Sequence, residues 1–183
     1  SGRAVIHKPF RLMKCLDSIG YHPLEERTNE TLDYQFGRQR HRWAEYRSVL
    51  MPEEIPSTHN NGAEISDLVL IAAVKEGLNV DYLSSVFMQN HWINNVDLND
   101  EKSVRIILEA QGLESDNLLE LAQTKESLNT YEENTKEAID LSAFGSPTYV
   151  VDGDMFYGQD NLILVERALG QPFKCNPPIF SIN

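Results

Sequence analysis

Apolar and polar positions alternate at helical spacing through the middle of this chain and at strand-like spacing only near its two ends. At the start, Ala4-Val-Ile-His-Lys-Pro-Phe10 sets β-branched residues ahead of Pro9 and reads as a short strand. The stretch from Leu12 to Ser57 is weakly periodic and broken by Pro23, Pro52 and Pro56, with one helix expected over Leu32–Leu50. Pro56–Gly62 is a loop. Beyond it the pattern sharpens. Leu68, Ile71 and Ala72 share a face of a helix over Ile65–Glu76, stopped by Gly77. Tyr82, Val86 and Phe87 share a face of another over Asp81–Trp92. Asn99 or Asp100 can cap a third over Glu101–Gln111, ended by Gly112. Two more fit Asp116–Ala122 and Thr124–Leu141. The second has Glu126, Glu132 and Glu133 toward its front, which suits the positive end of a helix dipole.

The period then changes. After the Gly145-Ser-Pro147 turn, a short apolar strand, a tight Asp152-Gly153 turn and a second strand predict a β-hairpin. Gly158-Gln-Asp160 leads into an amphipathic helix carrying Leu162, Val165 and Leu169. Strand, long helical block, strand, strand, helix is an α/β order with a helical insertion rather than a bundle.

Charge narrows the partners. A net charge of −12 over 183 residues is the wrong sign for a nucleic-acid surface and for an anionic membrane, and neither partner is expected. No apolar run approaches the length of about 18 residues that crosses a bilayer. Cys15 and Cys175 lie far apart and form no CxxC pair, so no disulfide-exchange motif is present and the two thiols suit a reducing cytoplasm. His7, His22, His41, His59 and His91 show no metal-ligand spacing, and no metal is expected. The opening Ser1-Gly2-Arg3 has no Met and reads as a processed or truncated start.

Candidate chemistry collects in the C-terminal unit. Ser146–Pro147 reads either as an ordinary trans proline opening an edge strand or as a cis bond that bares neighbouring backbone groups to a peptide. Asp160 reads either as a helix N-cap or, with Gln159, as a holder for a ligand's charged amino-acid end. The basic patch of Arg38, Arg40, Arg42 and Arg47 reads as a solvated helix face.

Gly145-Ser-Pro-Thr148, followed by Val150-Val-Asp-Gly-Asp-Met-Phe-Tyr-Gly-Gln-Asp160, closely resembles the 2-hydroxychromene-2-carboxylate isomerase and kappa-class glutathione transferase family of thioredoxin-like, DsbA-related proteins. The likeness extends to Phe87-Met-Gln-Asn-His-Trp92, Asp97-Leu-Asn-Asp100, Arg42-Trp43-Ala44 and His7-Lys-Pro-Phe-Arg-Leu12. The resemblance implies a thioredoxin-like sheet from residues 1–14 and 143–183, interrupted by a helical insertion over 15–142. It implies a cis Pro147, and glutathione held by the backbone of Ser146 and by Gln159 and Asp160. It also implies a glutathione-dependent isomerase, or a kappa-like transferase, acting on a hydrophobic or aromatic electrophile in the cytoplasm. Lys14 and Trp92 are candidate substrate-pocket residues, with Lys14 also readable as solvated surface and Trp92 and Phe87 as core. Tyr21 stands where the family has an Asn that touches glutathione.

The family's first strand and helix, with the serine that activates the thiol, are expected before Ser1, so no catalytic residue is assigned within the chain. A sheet lacking that strand would have open edges. The expectation is that residues upstream of Ser1, a second polypeptide or a homodimer partner completes it. Two alternatives remain: a non-catalytic thioredoxin-like binding domain, and a DsbA-like thiol-disulfide oxidoreductase whose motif lies upstream.

Overall fold

The computed structural model of the chain describes residues 2, 4–21 and 27–174. His22, Pro23 and Cys175 lie outside the described residues. The described chain is mixed α/β and mostly helical, with one two-stranded antiparallel sheet among the described residues.

The helices beyond Gly62 lie where the sequence pattern places them, whereas a helix over Leu12–Ile19 departs from the expectation. α1 is Leu12–Ile19. A nearly continuous run follows: α2 (Asn29–Leu32), a π-helical segment (Asp33–Arg38) and α3 (Gln39–Arg47). Thr28 caps the run by accepting from the Thr31 amide, and Ser48 ends it in the left-handed region. Five further helices are α4 (Glu64–Lys75), α5 (Val80–Asn94), α6 (Glu101–Ala110), α7 (Ser115–Ala122) and α8 (Lys125–Asp140). Asn79, Asp100 and Thr124 cap α5, α6 and α8, each accepting from a backbone amide of the first turn.

α4 is the axis of the main core. The run Leu68–Ala73 is buried on every side, not only at Leu68, Ile71 and Ala72, because α5, α6, α7 and α8 all pack against it. Leu83, Phe87, Val104, Leu108, Leu118 and Tyr131 fill the space around it. Tyr82 departs from the expectation. It is 57% exposed, and its hydroxyl donates to Gln111 at 2.7 Å.

Residues 4–10 do not form the expected strand. Val5 and Ile6 are exposed, and no described strand lies alongside to receive their backbone groups. The segment is instead strapped down by side chains. Asn134 Nδ2 donates to the Pro9 carbonyl at 3.1 Å, the Arg11 amide donates to Thr135 Oγ1 at 3.1 Å, and Lys8 pairs with Glu137. β-branched residues favour a pleated surface but cannot supply the partner strand that makes one.

α1 is continuous across Lys14, and Cys15 is fully buried with Ala138 of α8 and with Ala143, which leads into the C-terminal unit.

That unit is the hairpin of β1 (Thr148–Val151) and β2 (Asp154–Tyr157), with Thr148 opposite Tyr157 and Val151 opposite Asp154. Asp152 and Gly153 both take positive φ, as a two-residue primed turn requires. One face of the hairpin packs Val151 and Phe156 against Ala168 of α9 (Leu162–Gly170), while Met155 reaches the Cys15 cluster. The hairpin therefore has a fixed position relative to α1 and α8, and so does its open end.

Candidate functional site

A groove of about 600 Å³ opens between the Asn29–Arg47 run and the end of the hairpin. Ser146, Pro147, Gln159 and Asp160 all border it, together with Tyr157 and Gly158. The Ser146–Pro147 bond is cis. Local bonds hold this end together: the Gly158 amide donates to the Pro147 carbonyl at 2.9 Å, and Thr148 Oγ1 donates to the Gly145 carbonyl at 2.7 Å. Gly145 is required by contact, since a Cβ there would sit 2.1 Å from the Tyr157 ring. Gly158 is required by conformation, with φ +88 and the Asp160 carboxylate folded over it. Asp160 is not a helix N-cap. Asn161 precedes α9, and a 3₁₀ turn over Gln159–Asn161 comes between hairpin and helix.

The opposite wall is a helical stripe. Arg40, Trp43, Ala44 and Arg47 follow the i, i+3, i+4, i+7 spacing that puts four residues on one face, and all four border the groove. The π-helical segment brings Tyr34, Gln35 and Phe36 to the same wall. The basic patch is therefore divided. Arg38 pairs with Asp33 on the surface and Arg42 lies near the Tyr34 ring, whereas Arg40 and Arg47 face the groove.

The groove is cationic in an acidic chain. Arg27, Arg40 and Arg47 border it against the single carboxylate of Asp160. Among the described residues none of the three arginines pairs with a carboxylate. Arg27 reaches Gln35 and the Tyr21 hydroxyl, Arg40 donates to the carbonyls of Pro52 and Glu53, and Arg47 donates to the carbonyl of Gln159. Two buried polar atoms of these walls have no partner among the described residues: the donor Arg40 Nε and the acceptor Gln159 Oε1. Burial raises the Tyr149 pKa, and nearby Arg47 opposes the shift.

Lys14 and Trp92 do not border the groove. Lys14 sits on α1 and pairs with Glu132 at 2.7 Å. Trp92 is packed on the far side of Arg40, whose guanidinium lies 5.7 Å from its ring, in a cluster with His59 and His91. There His91 Nδ1 lies 3.0 Å from the Val96 carbonyl and His91 Nε2 lies 3.0 Å from His59 Nδ1. Burial, His91 and Arg40 together lower the His59 pKa. Phe87 is 2% exposed and belongs to the core. Cys15 is inert by position. Its thiol donates to the Ala143 carbonyl at 3.0 Å, and burial pushes its pKa up, which disfavours the nucleophilic thiolate. No group of three or more metal-ligating side chains occurs among the described residues, and none of their helices is long and apolar enough to cross a membrane.

The model of the DSBA-like thioredoxin domain family matches residues 2–170. The 2-hydroxychromene-2-carboxylate isomerase of Pseudomonas sp. (strain C18) is 25% identical over 129 residues, which is 70% of this chain and 58% of that protein. The chain thus spans less than two thirds of that curated relative. Among solved structures, a selenomethionine form of 2-hydroxychromene-2-carboxylate isomerase superposes with a TM-score of 0.71 at 23% identity, covering 88% of this chain and 77% of that one. At that identity the likeness is one of fold.

Proposed function

The chain belongs to the DSBA-like thioredoxin domain family, and from that premise we propose that it is a glutathione-dependent isomerase acting on a hydrophobic or aromatic electrophile. The coarser part of this reading, an isomerase on a thioredoxin-like frame, draws on the similarity to 2-hydroxychromene-2-carboxylate isomerase. The glutathione part draws on the groove.

The observation that carries it is the convergence of Ser146, Pro147, Gln159 and Asp160 on one groove whose other wall is aromatic and cationic. A tripeptide with an ammonium and two carboxylates fits what these walls lack. Among the described residues, Gln159 Oε1 is a buried acceptor without a donor, Arg40 Nε is a buried donor without an acceptor, and Asp160 has no cation partner. Gln159 and Asp160 would hold the γ-glutamyl end, and the Ser146 backbone would pair with the peptide. When bound, glutathione supplies a thiolate that adds reversibly to a conjugated system and leaves again, with no net oxidation. Trp43, Tyr34 and Phe36 offer the apolar surface for an aromatic reactant, and the arginines favour negative charge along the same wall.

Titration calorimetry of the purified chain with glutathione tests the reading. Saturable binding in the micromolar-to-millimolar range, weakened by Asp160→Asn and Gln159→Ala, is expected. No heat at several millimolar glutathione would remove the glutathione assignment.

A further inference from the structure

The two walls of the groove come from distant parts of the chain, and a side chain of one reaches the other. Arg47, in the last turn of α3, donates from Nη2 to the carbonyl oxygen of Gln159 at 2.9 Å across 112 positions of sequence. That carbonyl belongs to the Gln159–Asn161 turn, whose other bonds are local. The Gly158 amide donates to Pro147, the Asn161 amide donates to the Gly158 carbonyl at 3.2 Å, and Asn161 Nδ2 donates to the Tyr157 carbonyl at 2.6 Å. These bonds close the turn on itself and on the hairpin but do not tie it to the opposite wall. The Arg47 guanidinium is in turn steadied by the Trp43 ring, 5.4 Å from its centroid.

We propose that Arg47 is a positioning residue that sets the Gln159–Asp160 turn in its ligand-holding pose from across the groove. This rests on the reading that Gln159 and Asp160 hold the amino-acid end of glutathione. The physical argument is one of restraint. A turn hung from one hairpin can tilt about its attachment, and a charged donor fixed to a second rigid element removes that freedom before any ligand arrives. The side-chain amide of Gln159 and the carboxylate of Asp160 then share one orientation with the groove. Lysine keeps the charge and a donor at this position but loses the planar fork that lies against Trp43.

The test compares the unsubstituted chain with Arg47→Ala and Arg47→Lys by site-resolved amide hydrogen exchange without ligand, by thermal melting, and by calorimetry with glutathione. In Arg47→Ala the Gly158 and Asn161 amides should exchange roughly three- to tenfold faster, the order of effect of one partly exposed bond from a charged donor. Amides of α4 should be unchanged, and glutathione affinity should fall by a similar factor. Arg47→Lys should recover part of both. Unchanged exchange at Gly158 and Asn161 in Arg47→Ala would overturn the proposal. So would faster exchange with undiminished glutathione affinity. If the unsubstituted chain binds no glutathione while Arg47→Ala still loosens the turn, the restraint stands and the ligand assignment is what fails.

Discussion

Asp67 makes this protein lose stability as pH rises through the range where most carboxylates contribute it. Asp67 lies in the first turn of α4, and its Oδ2 accepts from the Tyr131 hydroxyl of α8 at 2.7 Å. Burial raises its pKa from 3.8 to about 6; the Tyr131 bond and Arg11 oppose the shift and Glu64 adds to it. Burial and the Asp67 charge push the Tyr131 phenol far up as well, so it stays protonated and remains the donor. Below the unfolded pKa both states hold the Asp67 proton and nothing is lost. Between 3.8 and about 6 the folded state keeps a proton that the unfolded state has released, so unfolding stability falls with rising pH. Above about 6 the whole penalty is present. At about 1.36 kcal/mol per pKa unit, the gap between 3.8 and about 6 is worth at most about 3 kcal/mol. Asp67→Asn removes the titration and keeps an acceptor for Tyr131. Urea unfolding of both proteins from pH 3.5 to 8 should give a stability difference, variant minus unsubstituted, that climbs by about 2–3 kcal/mol across pH 4–6.5 and then levels. A flat difference curve, or one that falls with pH, would refute the reasoning.

Two other outcomes follow from packing. Gly145→Ala must displace the Tyr157 ring, which a Cβ would meet at 2.1 Å. We expect a loss of about 1–3 kcal/mol and an altered near-ultraviolet tyrosine signal, and an unchanged melting curve and spectrum would show that the ring does not rest on Gly145. Cys15 should resist maleimide in the native protein and react only on unfolding, because it is fully buried and its thiol pKa is raised. Peptide mapping after native labelling checks this, and rapid modification at Cys15 would contradict the burial.

The helices from α4 to α8 were legible because their signals are local. Asp100 and Thr124 cap where their side chains reach the next amides, and Leu68, Ile71 and Ala72 are spaced as one helical face. The hairpin was equally plain, since Asp152-Gly153 fits a primed turn and the flanking residues carry strand propensity. One half of the groove was legible for the same reason. Ser146, Pro147, Gln159 and Asp160 sit within 15 positions of each other and belong to one supersecondary unit.

The other half was decided by tertiary structure. Arg40, Trp43, Ala44 and Arg47 show helical spacing in the sequence, but spacing says only that they share a face. That this face meets the hairpin depends on contacts such as Arg47 with Gln159, 112 positions away. Packing also decides that Lys14 and Trp92 lie away from the groove, Lys14 paired with Glu132 and Trp92 against His59 and His91. The first segment carried strand propensity in Val5 and Ile6, yet a strand needs a neighbour to accept its hydrogen bonds, and α8 supplied side chains in its place. Sequence by itself determined what could be settled within a few residues: periods, caps, turns and one arm of the site. Where two arms meet is a property of long-range packing, and no local pattern of polar and apolar residues encodes the partner.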